Sequence, residues 1–204
     1  MRKLLSVLGI GLASMATAQD THQDGYYGKY ETPSYTVQAT LEGAEVRQYA
    51  PHLLAVVAVR GDRRGALNRG FRTLAGYIFG GNEQGASVSM TSPVTQKGAD
   101  QSASSDIDDI WEVTFMMPTE FNRSTLPAPN NPAVRFVDVP ERRMLVATFT
   151  GRATSSVLED QTNRLRALAA NQNLTLTGAP TFMFYDGPAT LPNRRRNEVG
   201  FVID

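Results

Sequence analysis

The 204-residue chain has no cysteine and only two histidines, His22 and His52. Without thiols there is no disulfide, iron–sulfur cluster, thiolate zinc site, covalently attached c-type haem or cysteine nucleophile. Two histidines are too few for a multi-histidine metal centre built within one chain. Lysine is scarce as well, with 3 Lys against 17 Arg. The 20 basic residues balance 20 acidic ones, which removes a general electrostatic grip on DNA or RNA, so no nucleic-acid partner is expected. What the chain does have is an ordinary globular mixture, 41% apolar and 20% charged, of a length that suits one domain. The bias toward guanidinium over ammonium suits recognition of carboxylates and phosphates.

The N-terminus reads as an export signal. Met1-Arg2-Lys3 is a basic start, Leu4 to Met15 is an apolar run, and Ala16-Thr17-Ala18 is an A-x-A cleavage site. The run is short for a membrane span, so no stable membrane insertion after cleavage is expected. The expectation is residues 1–18 as a signal peptide, 19–30 as a flexible lead-in holding His22, and 31–204 as a single domain. A periplasmic or extracellular location follows from it.

Alternation and helical spacing organise the rest. Tyr35 to Leu41 and Ala44 to Tyr49 read as strands joined by a tight turn at Glu42-Gly43. Leu53 to Val59 reads as a strand buried on both faces. Asp62 is an N-cap for a first helix, with Leu67, Phe71, Leu74 and Ile78 as its apolar stripe and Gly80-Gly81 as its stop. Ser87 to Thr95 is extended, and Gln96 to Asp109 reads as a polar loop. Trp111 to Met117 alternates strictly. The proline-containing stretch from Pro118 to Pro132 reads as a surface linker. Then the pattern starts again. Val134 to Val139 and Met144 to Phe149 are strands. A second helix is capped at Ser155 or Ser156, where Ser156 with Glu159 fits a capping box. Leu158, Leu165, Leu168 and Ala169 form its stripe. Leu174 to Leu176, Thr181 to Tyr185 and Val199 to Ile203 close the chain as short strands. Two halves, about 35–117 and 134–204, thus each run strands, helix, strands. The fold class is α+β: a distorted antiparallel β-barrel with two flanking helices, built from two pseudo-twofold-related halves.

No nucleophile elbow, P-loop or dinucleotide fingerprint is present, and Glu112, Glu120 and Glu198 are scattered along the chain. No catalytic residue is assigned, so a non-enzymatic protein is expected. The three aspartates Asp106, Asp108 and Asp109 lack the glycine and distal glutamate of a calcium loop. Methionines in strand-like runs read as core, and His52 reads as a rim residue. The remaining chemistry is apolar surface beside arginine. On the first helix Phe71 and Ala75 offer a seat for a flat apolar body, with Arg64 and Arg72 nearby for its carboxylates.

Several segments taken in order carry a family likeness. They are Glu31-Thr32-Pro33 with Tyr35-Thr36-Val37; Glu45-Val46-Arg47-Gln48-Tyr49; Gly70-Phe71-Arg72 running to Tyr77-Ile78-Phe79-Gly80-Gly81-Asn82; Met90-Thr91-Ser92-Pro93-Val94-Thr95; Phe115-Met116-Met117-Pro118-Thr119-Glu120; and Arg195-Arg196-Asn197-Glu198-Val199. This resembles the SOUL haem-binding protein family. The resemblance implies the barrel with two helices inferred above, similar to the effector-binding domains of bacterial multidrug-sensing regulators, which hold flat hydrophobic cations. It also implies non-covalent binding of haem or a related tetrapyrrole in a cleft beside the first helix. Gln48 stands where some members carry a histidine proposed as axial ligand, so the axial ligand is unassigned. Asn68 and Gly76 align with basic residues near the haem propionates in other members. Arg64 or Arg72 would then supply the charge. Ala189-Thr190-Leu191-Pro192 replaces a tryptophan-containing segment.

The expected cofactor-binding set is Arg64, Asn68, Phe71, Arg72, Ala75 and, near the C-terminus, Arg194; no metal ligand is assigned. Arg195 and Arg196 read as pairing with Glu198 to pin the last strand. The expected function is a carrier, buffer or scavenger of a tetrapyrrole. A module for another flat hydrophobic ligand and an enzyme acting on a tetrapyrrole or small ligand are the alternatives. Oligomeric state is left open by the residues.

Overall fold

The computed structural model of the protein describes residues 25–99 and 109–204. The expected export signal, His22, Asp106 and Asp108 lie outside these residues. The first elements of the described residues form a small hairpin, β1 (Tyr26–Tyr27) and β2 (Tyr30–Glu31). The end of the expected lead-in is therefore structured. The Tyr27 hydroxyl donates to Asp186 at 2.9 Å, and its ring meets Tyr185 edge-on.

Among the described residues nine further strands form one antiparallel sheet: β3 (Tyr35–Leu41), β4 (Ala44–Tyr49), β5 (His52–Arg60), β6 (Val94–Gly98), β7 (Ile110–Met116), β8 (Arg135–Val139), β9 (Arg142–Thr150), β10 (Leu176–Phe184) and β11 (Arg196–Ile203). Helix α1 (Arg63–Ile78) follows β5, and α2 (Ser155–Asn171) follows β9. The spatial order is β3-β4-β9-β11-β10-β6-β7-β5-β8. The sheet curls into a half-barrel, as the α+β reading expected.

Strand order reveals how the two halves are built. Running outward from the centre, β10-β11-β9-β4 on one side matches β6-β7-β5-β8 on the other. Yet β4 precedes the first helix in sequence and pairs with β9 of the second half, while β8 precedes the second helix and pairs with β5 of the first. Each half thus receives its outer strand from the other. The units 35–117 and 134–204 are repeats in pattern but exchange a strand in space.

Register sorts the side chains onto two faces. Val113, Val57, Ala55, Phe182, Val199, Ala147 and Leu145 lie on the convex face, under the helices. Thr95, Thr114, Leu54, Met183, Glu198 and Met144 lie on the concave face. The helices pack on separate parts of the convex face, α1 on β5 and β7, α2 on β9 to β11.

Helix α1 starts where expected: the Asp62 carboxylate accepts from the Gly65 amide at 2.8 Å. It ends through Gly80 at φ +101°, with the Gly81 amide donating to the Gly76 carbonyl at 2.8 Å. Its buried residues are Ala66, Gly70, Leu74, Tyr77 and Ile78, so the stripe is rotated from the expected one. Gly70 makes the difference: a Cβ there would lie 2.6 Å from Val113. The bare backbone seats the helix close to β7 and turns Phe71 toward the edge of the interface.

Other expectations shift by local causes. The cap of α2 is Thr154, whose hydroxyl accepts from the Val157 amide, one residue before the expected serines. Gln96, expected in a loop, is fully buried in β6 and holds Arg63 by both side-chain and backbone contacts. The segment expected as a surface linker tucks Leu126 and Pro127 inward, and the Pro127 carbonyl accepts from the Tyr77 hydroxyl at 3.0 Å. The expected strands Leu174–Leu176 and Thr181–Tyr185 merge into β10, and Val199–Ile203 lengthens into β11. β10 runs through a bulge between Thr177 and Thr181, where Gly178 has φ +73° and Pro180 has no N–H to offer the ladder.

Candidate functional site

Five of the six residues expected to bind a ligand lie on one helix face. At 100° per residue, Arg64, Asn68, Phe71, Arg72 and Ala75 fall within an arc of about 100° on α1. Arg64, Asn68, Phe71 and Arg72 are exposed and Ala75 is half-buried. Phe71 is the informative member. It is 42% exposed, yet it is braced from behind by Phe115 at 5.5 Å in an edge-to-face contact. Ala75 and the strongly exposed Phe79 continue the apolar line toward the helix end. Phe71, Ala75 and Phe79 thus form an apolar line with guanidinium groups alongside.

Arg194 lies elsewhere. It ends a single 3-10 turn, Pro192–Arg194, in the β10–β11 connection, and is exposed. That turn and the start of α1 share a neighbour: the Gly151 amide donates to the Arg195 carbonyl, and Arg63 donates to the Ala153 carbonyl. Leu191, 60% exposed, precedes it.

Residue 48 lies apart from α1. Gln48 is on β4 and shares a face with Val46, which belongs to the core under α2. Its Oε1 accepts from the Gln38 side chain at 3.2 Å. His52 begins β5 on the concave face, and its Nδ1 donates to the Ala50 carbonyl at 2.8 Å. Burial lowers its pKa, Arg142 lowers it further, and the Ala50 bond partly opposes both. The residues of α1 include no histidine, methionine or cysteine, and its one tyrosine, Tyr77, is buried. The helix therefore presents apolar and guanidinium groups, and none of these soft or imidazole side chains in an exposed position. Among the described residues no group of three or more His, Cys, Asp or Glu side chains could hold a metal ion.

Sequence reasoning undervalued Glu198. It is fully buried on the concave face. Arg47 Nη1 donates to both of its oxygens at 3.1 Å, Arg196 Nη2 donates at 2.6 Å, Tyr185 at 2.8 Å and Thr148 at 3.0 Å. Burial pushes this carboxyl up, and the two guanidinium groups with their hydrogen bonds outweigh it, so it sits below its ordinary value. Burial and the Glu198 charge together hold the Tyr185 hydroxyl well above its ordinary value. Arg47 also stacks on Tyr35 at 4.3 Å and donates to Glu45 at 2.7 Å. The motif spanning residues 45–49 is thus half of a buried ion network, and Arg196 pairs with Glu198 two residues along the same strand. Arg195 does something different, donating to the carbonyls of Thr190 and Pro188.

The chain matches the family model described as SOUL heme-binding protein over residues 30–202. It belongs to that family. No curated protein matches it by sequence. Among solved structures it is similar to the EcmrR C-terminal domain, at 12% identity over 81% of this chain and 99% of that one, with a TM-score of 0.63. It is also similar to a hydrolase encoded by lin2189 from Listeria innocua, at 10% identity over 81% and 94%, TM-score 0.59. SAV2435 bound to tetraphenylphosphonium aligns at 11% identity over 80% and 94%, TM-score 0.51. These likenesses establish the fold. Among the described residues no helix is long and apolar enough to cross a membrane.

Proposed function

We propose that this protein binds haem or a related tetrapyrrole non-covalently along α1, as a carrier, buffer or scavenger. The observation that carries the reading is Phe71: a large ring left 42% exposed on a helix whose other apolar side is buried, yet held rigid by Phe115. Family membership supplies the ligand class. The macrocycle would lie over Phe71 and Ala75, with its carboxylates on Arg64 or Arg72 and Asn68 as a neutral hydrogen-bonding neighbour. A bound haem would supply an iron centre with open coordination positions; the residues of α1 hold the ring and its acidic groups. No catalytic role is assigned to any residue. The export signal read in residues 1–18 puts this activity in the periplasm or outside the cell.

The test is a haemin titration followed at the Soret band, on the wild-type and on Phe71→Asp and Arg72→Glu. Each variant is expected to weaken binding at least tenfold while keeping the wild-type far-UV spectrum, because both side chains lie outside the buried stripe. Metal-free protoporphyrin should bind within a few fold of haemin, since ring and carboxylates carry the recognition. Unchanged affinity in both variants would move the site off α1.

A further inference from the structure

The concave face holds a second feature that the α1 site does not use. Where the two halves meet, strands of both line a small cleft open to solvent. Its apolar walls include Leu54 and Met116 from β5 and β7, and Met144 and Met183 from β9 and β10. Methionine side chains are unbranched and polarizable, so three of them give a lining that adapts to an apolar body. Gly200 of β11 helps to form this wall: a Cβ there would lie 3.0 Å from the Cε atoms of both Met144 and Met183.

One cation also lines the cleft. Arg142, the first residue of β9, has its Nε buried without a hydrogen-bond partner. It forms no ion pair among the described residues. Other concave-face arginines contrast with it, since Arg47 and Arg196 are neutralised by Glu198 and Arg135 pairs with Glu112. Glu198 cannot serve Arg142 as well, because its two oxygens already take bonds from Arg47, Arg196, Tyr185 and Thr148. An arginine stays protonated in a protein, so Arg142 is a half-buried positive charge facing an apolar cavity with a donor to spare. Beside it His52 lines the same cleft, its Nδ1–H committed to Ala50 and its Nε2 without a hydrogen bond among the described residues. Burial lowers the pKa of Arg142 itself, as expected of a cation short of an anionic partner.

We infer that this cleft is a binding site for a small amphipathic carboxylate, its apolar body against the methionines and its carboxylate on Arg142. The ligand supplies the anion that the fold withholds. The same arrangement disfavours cations, because the acidic side chain of the concave face nearest the site is already saturated. The site is independent of the α1 face, which lies on the opposite side of the sheet.

Octanoate, octylammonium and octanol share one chain and differ in charge, so they test the inference when titrated calorimetrically into the full chain. Octanoate should bind at least tenfold more tightly than either of the others and raise the melting temperature. Arg142→Met should remove that preference, leaving octanoate no better than octanol, and Arg142→Lys should retain part of it. Far-UV spectra and haemin affinity of the Arg142 variants should match the wild-type; conversely Phe71→Asp should leave octanoate binding intact. Failure of haemin binding with octanoate retained would sink the α1 reading alone. The cleft assignment is overturned if octylammonium binds as well as octanoate, or if Arg142→Met leaves octanoate affinity unchanged.

Discussion

Arg47 on β4 and Glu198 on β11 lie 151 residues apart in sequence, and one guanidinium nitrogen of Arg47 is 3.1 Å from each carboxylate oxygen of Glu198. Both side chains are almost entirely buried. β9 separates the two strands in the sheet, so the pair ties an exchanged outer strand to the last strand across it. Glu198→Ala leaves two guanidinium groups and the Tyr185 and Thr148 hydroxyls around an unfilled space, with Glu45 remaining to Arg47. Removing one partner of a buried pair typically costs about 3–5 kcal/mol, and here Arg196 also loses its anion. Urea denaturation should show a loss of that order with a two-state transition. A loss under about 1 kcal/mol would mean the network is not closed in solution.

Acid should act through the same group. The Glu198 carboxyl sits below the ordinary glutamate value of 4.5. A carboxyl with a lowered native pKa adds stability that is complete above the unfolded-state value and lost as pH falls through the native one. The stability gap between wild-type and Glu198→Gln should therefore hold constant from pH 7 to about 5 and close below about 4.5. Urea midpoints of both proteins at pH 7, 5, 4 and 3 measure it. A gap that closes already between pH 7 and 5 would assign the acid sensitivity to another group.

The repeat pattern and both helices were legible because alternation and 3.6-residue spacing are local signals. The strand exchange was not, since nothing in Val46 or Phe136 says which half it will pair with. The helix face was legible only in part. Leu67 and Phe71 fit the stripe by hydrophobicity, but the true contact is set by a residue with no side chain, Gly70, meeting Val113 from a distant strand. Glu198 looks like one scattered carboxylate because its partners come from β4, from β9 and from Tyr185 just beyond β10. Of the candidate site, the five α1 residues share a face because helical spacing alone ensures it. Arg194 was placed by charge, which carries no geometry.

Gly70→Ala tests how tightly α1 is seated. The new methyl would lie 2.6 Å from the Val113 side chain, closer than real carbon contacts allow. The helix must move off β7, which should cost about 1–3 kcal/mol as overpacking even though alanine is the better helix former. Thermal unfolding reads the loss. Because the shift also lifts Phe71 from Phe115, haemin affinity should fall along with stability. A more stable Gly70→Ala protein would mean that the interface relaxes without strain.

Gln48 offers a negative control for the ligand site. Its side chain is on the face toward α2 and bonds to Gln38. With the tetrapyrrole on α1, Gln48→His should leave haemin affinity within about twofold of wild-type and the visible spectrum unchanged. A shifted Soret maximum in this variant would show that haem reaches β4, and would place the site on the other half of the barrel.

His52 should make carboxylate binding in the concave cleft depend on pH. It faces Arg142 from β9, with Tyr49 of β4 and Tyr185 beyond the end of β10 lining the same space. Burial, then the Arg142 charge, lower its pKa from the ordinary 6.5, and the bond to Ala50 works against both. In the free protein it is thus neutral at pH 7. A carboxylate on Arg142 cancels part of that positive field and adds a negative one, so the imidazole pKa rises on binding. Linkage then requires proton uptake as octanoate binds, and affinity that increases as pH falls below about 6.5 while octanoate is still ionised. Calorimetry at pH 5.5 and pH 8 in buffers of different ionisation enthalpy should show tighter binding and a larger proton uptake at the lower pH. His52→Gln should flatten the dependence and leave the pH 8 affinity nearly unchanged, because neutral imidazole contributes little charge there. A wild-type affinity that is flat across this range would place the carboxylate out of reach of His52.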